Sequence, residues 1–281
     1  MNLIPSEIEL KEAFNALKGI EIPHIPEAVL ALQQELLKSD PDMSKIGSIL
    51  STDPVLSGMA LKTINSAKFG LPRKIESISQ ATVLLGLTVI KEIILVSALK
   101  RALGESSPFQ SYIWHSTQAI AVGAKALSFS IEDVPVESAY LAGLFQNTGA
   151  LILEKISEDY STKYVEGLAY PVSCLSLENN LYGTNHAIIS FLLAKNWQLP
   201  EKVCIAIYHS HNESSMEIED PMIKALIAIL KISEISTSHL LHTDLEFSSE
   251  ASKSLANGYL ELATDSYTLN EMNDELIALT H

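Results

Sequence analysis

Four histidines fall in stretches whose apolar spacing predicts helices, and they are the side chains most suited to do chemistry. They are His115, His186, His209 and His211, the first in the sequence Trp-His-Ser and the last two separated by one serine. Imidazoles that converge from different helices form metal sites in helical proteins, and three of them can bind zinc. One hypothesis is therefore a metal held by His115, His186 and His209. The alternative is that each is a hydrogen-bonded or surface histidine.

The sequence lacks the common motifs for nucleophilic catalysis and for phosphate binding. It contains no G-x-S-x-G elbow, no Walker lysine loop, no G-x-G-x-x-G and no H-E-x-x-H. Its two cysteines, Cys174 and Cys204, lie 30 positions apart and outside any C-x-x-C pair. This spacing is typical of small core residues in a reducing compartment and argues against a disulfide framework.

Charge and hydropathy argue against two classes of partner. The 281 residues include 19 Lys and Arg against 34 Asp and Glu, a net charge of −15 with no basic patch. Such a surface repels the phosphates of nucleic acid, so we expect no nucleic-acid partner. The longest apolar stretch, 81–96, is interrupted by Lys91 and Glu92 and is shorter than the roughly 20 residues that cross a bilayer. Since residues 1–12 show no secretory signal, the sequence predicts a soluble cytoplasmic protein with no membrane partner.

Helical spacing of apolar residues recurs along the whole chain, and strand-like alternation is nearly absent, which predicts an all-α fold. Asp53-Pro54 and Ser107-Pro108 pair a capping residue with proline at the first helical position. A further helix is expected from Thr88 to near Gly104, a residue suited to the turn that ends a helix. The other helices are predicted at about 5–18, 26–38, 44–51, 54–66, 79–85, 108–130, 136–156, 158–168, 173–181, 185–196, 200–210, 221–241, 248–263 and 269–279.

Polar and turn residues collect in three stretches that could link larger units: 104–107, 131–135 and 211–221. The last coincides with a rise in acidity. Residues 214–281 hold 12 Asp and Glu against 3 Lys, a net charge of −9, which leaves −6 for the first 213 residues. We therefore expect a domain boundary near residues 212–220.

A series of short motifs follows one another in a fixed order through the chain. They read DPVLS at 53–57, INSAKFG at 64–70, IESISQA at 75–81, LLG at 84–86, WHS at 114–116, YLAGL at 140–144 and WQLP at 197–200. Together with the histidines at 186, 209 and 211, they closely resemble the signature of the HDOD family, bacterial proteins related to the HD phosphohydrolases. The resemblance covers about residues 20–214.

The resemblance also implies that a metal site has lost its ligands. In the related phosphohydrolases an adjacent His and Asp follow the segment that matches Gly143-Leu144, and both bind the metal. This chain has Gln146 and Asn147 there, and neutral amides are poor ligands for an ion that must activate water. By the same resemblance His115 keeps its residue type and Glu234 could replace a later Asp ligand. The residues expected around this degenerate pocket are His115, Gln146, Asn147, His186, His209 and Glu234.

The helix pattern and the resemblance together imply a two-lobed helical bundle. Residues 1–214 would form the HDOD domain, with an N-terminal helical lobe over about 1–103 and an HD-like lobe over about 108–214. Residues 215–281 would form an acidic C-terminal helical extension, either packed on this domain or separate from it.

The function that the resemblance implies is a non-catalytic signalling or regulatory module without cofactor or metal. Domains of this family often accompany response-regulator or cyclic-dinucleotide enzyme domains. This sequence shows no such neighbour, so we expect it to act alone or by recruiting an unidentified signalling protein, and homodimerisation is left open.

Two rival functions make different predictions. The first is a metal-dependent phosphohydrolase acting on a nucleotide or other phosphate ester, which would contain stoichiometric metal. The second is a nucleic-acid regulator, whose affinity would fall steeply with salt.

Overall fold

The computed structural model describes residues 3–25, 41–51, 53–66, 69–213, 215, 217–244, 246–263 and 266–280. Within these residues the chain is helical without any strand, which confirms the all-α prediction. The expected helix at 26–38 lies outside the described residues. The helices are α1 Glu7–Leu17, α2 Met43–Ser51, α3 Pro54–Ile64, α4 Ile78–Leu103, α5 Pro108–Ser128, α6 Val136–Phe145, α7 Gly149–Leu153, α8 Tyr160–Gly167, α9 Ser173–Tyr182, α10 His186–Asn196, α11 Glu201–His209, α12 Pro221–Leu241, α13 Ser249–Leu262 and α14 Ser266–Thr280.

The chain forms two compact units. The smaller comprises residues 24–104, and the larger comprises residues 1–23 together with 105–281. This division differs from the expected lobes at both ends of the chain. Residues 1–23 belong to the larger unit because α1 packs against α10, and residues 215–281 belong to it because α12 packs against α5, α6 and α11.

The rise in acidity after residue 213 therefore does not mark a separate compact unit. Helix α12 is buried over most of its length, while α13 and α14 pack on it and expose acidic residues such as Glu261, Glu271 and Asp274. Surface faces of helices carry charge because water solvates it there. The rise in acidity after residue 213 comes from the exposed outer faces of α13 and α14.

In the smaller unit, α2 and α3 both pack against α4. Asp53 caps α3 as predicted, since its side chain accepts from the backbone N–H groups of Val55 and Leu56, and it also forms an ion pair with Arg101. The predicted end of one helix at residue 85 and start of another at 88 correspond to a break inside α4. Gly86 has φ 74 and non-helical backbone there, a conformation that glycine adopts without a Cβ clash.

Helix α4 is the one helix of the described residues that is long and apolar enough to cross a membrane by length and composition. Half of its apolar window is buried within the protein, and the backbone break at Gly86 divides it. A core helix of a folded unit has the same composition.

The core of the larger unit lies among α5, α6, α12 and α14, with Trp114 fully buried in it. Helix α6 approaches α5 very closely, because a Cβ at Gly143 would lie 2.7 Å from Cα of Ala121. Ser107 caps α5 as expected, with a capping box to Gln110. The helix expected over 136–156 is divided in two by a turn at residues 146–148, and this turn carries two of the candidate site residues.

Candidate functional site

The turn between α6 and α7 places two amide side chains against a glutamate of α12. Gln146 Nε2 donates to Oε2 of Glu234 at 2.8 Å, and Asn147 Nδ2 donates to Oε1 of the same carboxylate at 2.9 Å. All three residues are buried. Each carboxylate oxygen thus receives one N–H group, an arrangement that stabilises a buried anion by charge-assisted hydrogen bonds.

A second buried pair lies where α9 and α10 meet. Gly183 ends α9 in the left-handed conformation, and Asn185 caps α10 by accepting from the backbone N–H of Ile188. This tight connection places His186 against Glu178. His186 Nδ1 lies 2.9 and 2.8 Å from the two carboxylate oxygens, and the His186 backbone N–H donates to Oε2 at 2.8 Å. The hydroxyl of Tyr160 donates to Oε1 of Glu178 at 2.8 Å.

His186 also contacts a second histidine, and the partners of both rings fix their protons. Its Nε2 lies 3.0 Å from Nε2 of His211, whose Nδ1 lies 2.8 Å from the carbonyl oxygen of Pro171. A carboxylate and a carbonyl only accept, so both Nδ1 atoms carry hydrogen, and the short Nε2–Nε2 contact needs one more proton between them. The histidine pair therefore holds one net positive charge.

The surroundings place this charge on His186. Burial by itself lowers the pKa of His186, but the neighbouring Glu178 carboxylate outweighs it and raises that pKa above its ordinary value. Burial lowers the pKa of His211, and Glu234 offsets this only in part. For Glu178, burial acts to raise the pKa, yet the His186 imidazolium brings the pKa below its usual range. His186 is then an imidazolium paired with Glu178, and His211 is a neutral hydrogen-bond acceptor.

The two clusters adjoin each other, because His211 Nδ1 lies 3.8 Å from Oε2 of Glu234. Their charges are one imidazolium at His186 and two carboxylates at Glu178 and Glu234. The combined site therefore has an excess of one negative charge, located on Glu234. The amide donors lessen the cost of burying this carboxylate without neutralising it.

The structure brings together four of the six expected residues: Gln146, Asn147, His186 and Glu234. The expectation for His115 needs correction, because this residue lies on an exposed face of α5 between the buried residues Trp114 and Ser116. His209 is also placed elsewhere. Its Nε2 contacts the carbonyl oxygen of Leu3 at 3.2 Å, and its Nδ1 accepts from Asn212 at 2.6 Å.

Three histidines at 115, 186 and 209 therefore do not share one site. Among the residues that the structure describes, no group of three or more His, Cys, Asp or Glu side chains is arranged to hold a metal ion.

Sequence reasoning missed Glu178 as a site residue and did not choose between His209 and His211 correctly. A signal for Glu178 was present in the Gly183 and Asn185 turn, which predicts a short helix connection. Such a connection brings residues before and after it into contact. No comparable local signal separates His211 from His209, since both are buried and only the packing at the end of α11 decides which ring reaches His186.

A small pocket opens beside the site, between α8, α9 and α12. Its inner end is formed by the buried residues Glu178, His186, His211 and Glu234. Its walls include Leu168, Pro171, Leu177, Leu181 and Ile235, together with the rings of Tyr164 and Tyr182. Leu177 and Leu181 are partly exposed and lie at the mouth.

The fold and the site define an all-α helical protein with a buried polar cluster in its larger unit. The model of the HDOD domain matches residues 22–213, more than half of the chain. The protein therefore belongs to the HDOD family, as the sequence motifs indicated.

Similar structures cover almost the whole chain. An HDOD domain protein of unknown function from Geobacter sulfurreducens is 22% identical, with 97% of this chain and 98% of that one covered and a TM-score of 0.71. A candidate signal transduction protein from Marinobacter aquaeolei VT8 is 21% identical, with 96% and 62% covered and a TM-score of 0.71. A candidate metal-dependent phosphohydrolase from Shewanella amazonensis SB2B is 17% identical, with 98% and 100% covered and a TM-score of 0.60. These likenesses show the shared fold.

Among curated proteins, an uncharacterized protein of Treponema pallidum (strain Nichols) is 25% identical over 218 residues. The match covers 75% of this chain and 42% of that protein, so the chain spans less than half of this relative's length.

Proposed function

We propose that this protein is a non-catalytic regulatory module of the HDOD family that acts by binding a ligand or a signalling protein, without a metal or other cofactor. The observation that carries the proposal is the double hydrogen bond from Gln146 and Asn147 to Glu234. Amide N–H groups can only donate, so they occupy the carboxylate oxygens that would otherwise face a cation. The two histidines of the site, His186 and His211, are engaged with Glu178, with Pro171 and with each other.

Neither histidine of the site is free to activate a nucleophile. A general base must be able to take up a proton within hydrogen-bond reach of the reacting group. His186 already holds both protons and His211 uses its free nitrogen to accept from His186. Binding therefore fits the chemistry of the site better than hydrolysis.

We also propose that the protein is cytoplasmic and that its partners are not nucleic acids. Two free cysteines, Cys174 and Cys204, and the net charge of −15 support a cytoplasmic protein whose partners are not nucleic acids. The Marinobacter relative, named as a candidate signal transduction protein, is consistent with a signalling role.

Metal content and phosphate-ester hydrolysis of the purified full chain test the proposal. We expect substoichiometric transition metal by mass spectrometry and no release of phosphate from nucleotides or p-nitrophenyl phosphate with Mg²⁺, Mn²⁺ or Zn²⁺ added. The phosphohydrolase hypothesis replaces ours if the protein holds about one metal per chain and releases phosphate in a manner that Glu234→Gln abolishes. His115→Gln, an exposed substitution outside the site, is the matched control and should leave any activity unchanged.

A further inference from the structure

The first turn of α13 is bonded to the loop that precedes α9. Oε1 of Glu250 accepts from the backbone N–H groups of Val172 at 2.6 Å and Ser173 at 2.8 Å, and the Ser173 hydroxyl donates to Oε2. Burial acts to raise the pKa of Glu250, but these hydrogen bonds bring that pKa below its ordinary value. An ionised acceptor makes stronger hydrogen bonds than a neutral one, so Glu250 fixes the backbone at residues 172 and 173.

Glu250 and His211 bond to the two ends of one peptide group. The N–H of Val172 belongs to the same peptide group as the carbonyl of Pro171, and this carbonyl oxygen accepts from Nδ1 of His211 at 2.8 Å. A peptide group is planar and rigid, so a movement at Glu250 changes the position of the oxygen that holds the His211 ring. Hydrogen bonds linked through one group also strengthen each other. Glu250 is thereby coupled to the buried histidine pair through a single peptide group.

Two further contacts of α13 hold the same region. The backbone N–H and the hydroxyl of Ser248, which caps α13, both donate to the carbonyl oxygen of Ala169. Asn257 Nδ2 donates at 3.2 Å to the carbonyl oxygen of Glu213, two residues after His211. Helix α13 therefore holds both the loop before α9 and the segment that carries His211.

The side of α12 that α13 covers includes a lysine. A Cβ at Gly258 of α13 would lie 2.9 Å from the side chain of Ile232 and 3.3 Å from the carbonyl oxygen of Ala228. Residues three and four positions apart share one side of a helix, so Lys231 lies on the same side of α12 as Ala228 and next to Ile232. The docked position of α13 therefore covers Lys231.

The amine of Lys231 is buried without an acceptor. The residue is 1% exposed, and its Nζ has no hydrogen-bond partner among the residues that the structure describes. Burial lowers the pKa of Lys231, and Glu261 of α13 offsets this only in part. An amine in such a place costs free energy, because it has lost either its proton or its hydration. Undocking of α13 would remove that cost.

We propose that α13 is a releasable strap that regulates the buried histidine site. When docked, it holds the peptide group between Pro171 and Val172 and thereby the ring of His211. When released, it frees that ring and exposes Lys231 to water. The contacts of its first turn oppose the cost at Lys231, which is the balance that a two-state element needs. The assignment rests on the proposed function of a regulatory module and specifies how its site responds to a change at the surface.

Hydrogen exchange of the full chain, followed by ¹H–¹⁵N NMR, tests the coupling between Glu250 and His211. Glu250→Ala removes the acceptor of Val172 and Ser173, and the loss of hydrogen bonds to a charged group should raise the exchange rate of the His211 Nδ1 proton by at least about tenfold. The backbone amide of Trp114, in the core of the larger unit, reports global unfolding and should change by a smaller factor. Equal factors at the two protons would show that Glu250 acts on the whole fold and would overturn the strap.

Two further variants show whether the carboxylate position matters. Glu250→Gln keeps an oxygen that can accept from both N–H groups, so its His211 proton should exchange more slowly than that of Glu250→Ala. Glu271→Ala removes an exposed carboxylate of α14 and should leave the His211 proton unchanged. A glutamine variant as fast as the alanine variant, or an equal rise in Glu271→Ala, overturns the role of Glu250.

Lys231→Met tests the release of α13. Replacing a buried charge by an apolar side chain of similar volume often stabilises the packed state, so the variant should slow amide exchange of residues 251–257 by about fivefold or more. Lys155→Met, at an exposed lysine after α7, should leave that exchange unchanged. Unchanged or faster exchange in Lys231→Met, or equal slowing in Lys155→Met, overturns the release of α13.

Linkage requires the coupling to act in both directions. His211→Ala should therefore speed the amide exchange of residues 251–253 by a larger factor than that of Trp114, and equal factors overturn the coupling. All these measurements are made without metal or phosphate ester, so their failure overturns the strap and leaves the proposed function standing. Metal-dependent phosphate release overturns the proposed function whether or not α13 is released.

Discussion

The side-chain amide of Asn147 donates to Oε1 of Glu234 at 2.9 Å and joins residues that are 87 positions apart. Gln146 makes the equivalent bond to the other oxygen, so two adjacent residues of one turn hold both oxygens of a single carboxylate. This contact links the α6–α7 turn to α12 in the centre of the larger unit. The Gln-Asn pair that stands where His-Asp was expected therefore holds the Glu234 carboxylate by hydrogen bonds.

Asn147→Asp should destabilise the fold strongly, because it places a second carboxylate where an amide now donates to Glu234. Leaving a buried charge without a partner costs about 3–5 kcal/mol, so we expect the free energy of unfolding at pH 7 to fall by about that amount. Asn147→Ala is the control, since it removes the donor without adding charge and should cost about 1–3 kcal/mol. Urea denaturation measures both. An Asp variant no less stable than the Ala variant would contradict the role of the amide.

The double change Gln146→His with Asn147→Asp should raise metal affinity sharply. It restores an imidazole and a second carboxylate beside Glu234, a donor set suited to divalent metals. At a metal concentration 100 times the dissociation constant, the variant should gain about 2.7 kcal/mol of stability. Thermal unfolding with and without Mn²⁺ or Zn²⁺, and with chelator, measures the gain, and wild-type protein is the control. The absence of a gain would mean that further ligands are missing or that side chains fill the space.

Stability should fall as the pH is lowered from 6.5 toward 4.5, and His211 should account for it. Burial holds the pKa of His211 in the folded state below its ordinary value of 6.5, so its contribution to stability is fully present above pH 6.5 and is lost as the pH falls through the folded pKa. His186 has a raised pKa, so its contribution is complete below pH 6.5. Glu178 has a pKa lowered from 4.5, so its contribution is complete above pH 4.5. The contributions of His186 and Glu178 to stability therefore stay constant between pH 6.5 and 4.5.

His211→Gln isolates this effect. The variant should lose stability at every pH through its lost hydrogen bonds, but its unfolding free energy should change less between pH 6.5 and 4.5 than that of the wild type. Urea titrations at several pH values measure how the unfolding free energy of each protein changes with pH. An equal change in the wild type and in the variant would show that His211 is not the group responsible.

Gly149→Ala should destabilise the larger unit by about 2–4 kcal/mol. A Cβ at this position would lie 2.2 Å from the carbonyl oxygen of His186 and 2.8 Å from the backbone nitrogen of Ser190, so α7 and α10 would have to separate. Gly123→Ala is a matched buried control in α5. The atoms nearest to its Cβ would belong to the side chains of Leu276 and Ser233, at 3.3 Å, which can adjust, and we expect a cost below about 1.5 kcal/mol. Equal costs in thermal denaturation would contradict the close contact of α7 with α10.

Local chemistry predicted where several helices begin and end. Asp53 and Ser107 cap their helices as their sequences indicated, and the expected gap between residues 85 and 88 corresponds to the break at Gly86. These features depend on residues within one turn of each other, which the sequence contains directly. The expected helix over 136–156 was wrong at its centre, because the turn at 146–148 allows Gly149 to pack against α10, a contact with a residue far along the chain.

The sequence alone determined that the protein is helical, that it has the motifs of the HDOD family and that amides occupy positions 146 and 147. Only the tertiary structure decided that His211 and Glu178 join His186, while His115 is exposed and His209 contacts the N-terminal segment. Periodicity shows which residues share one face of one helix. It does not show which faces of different helices meet, because that depends on how all the helices pack together.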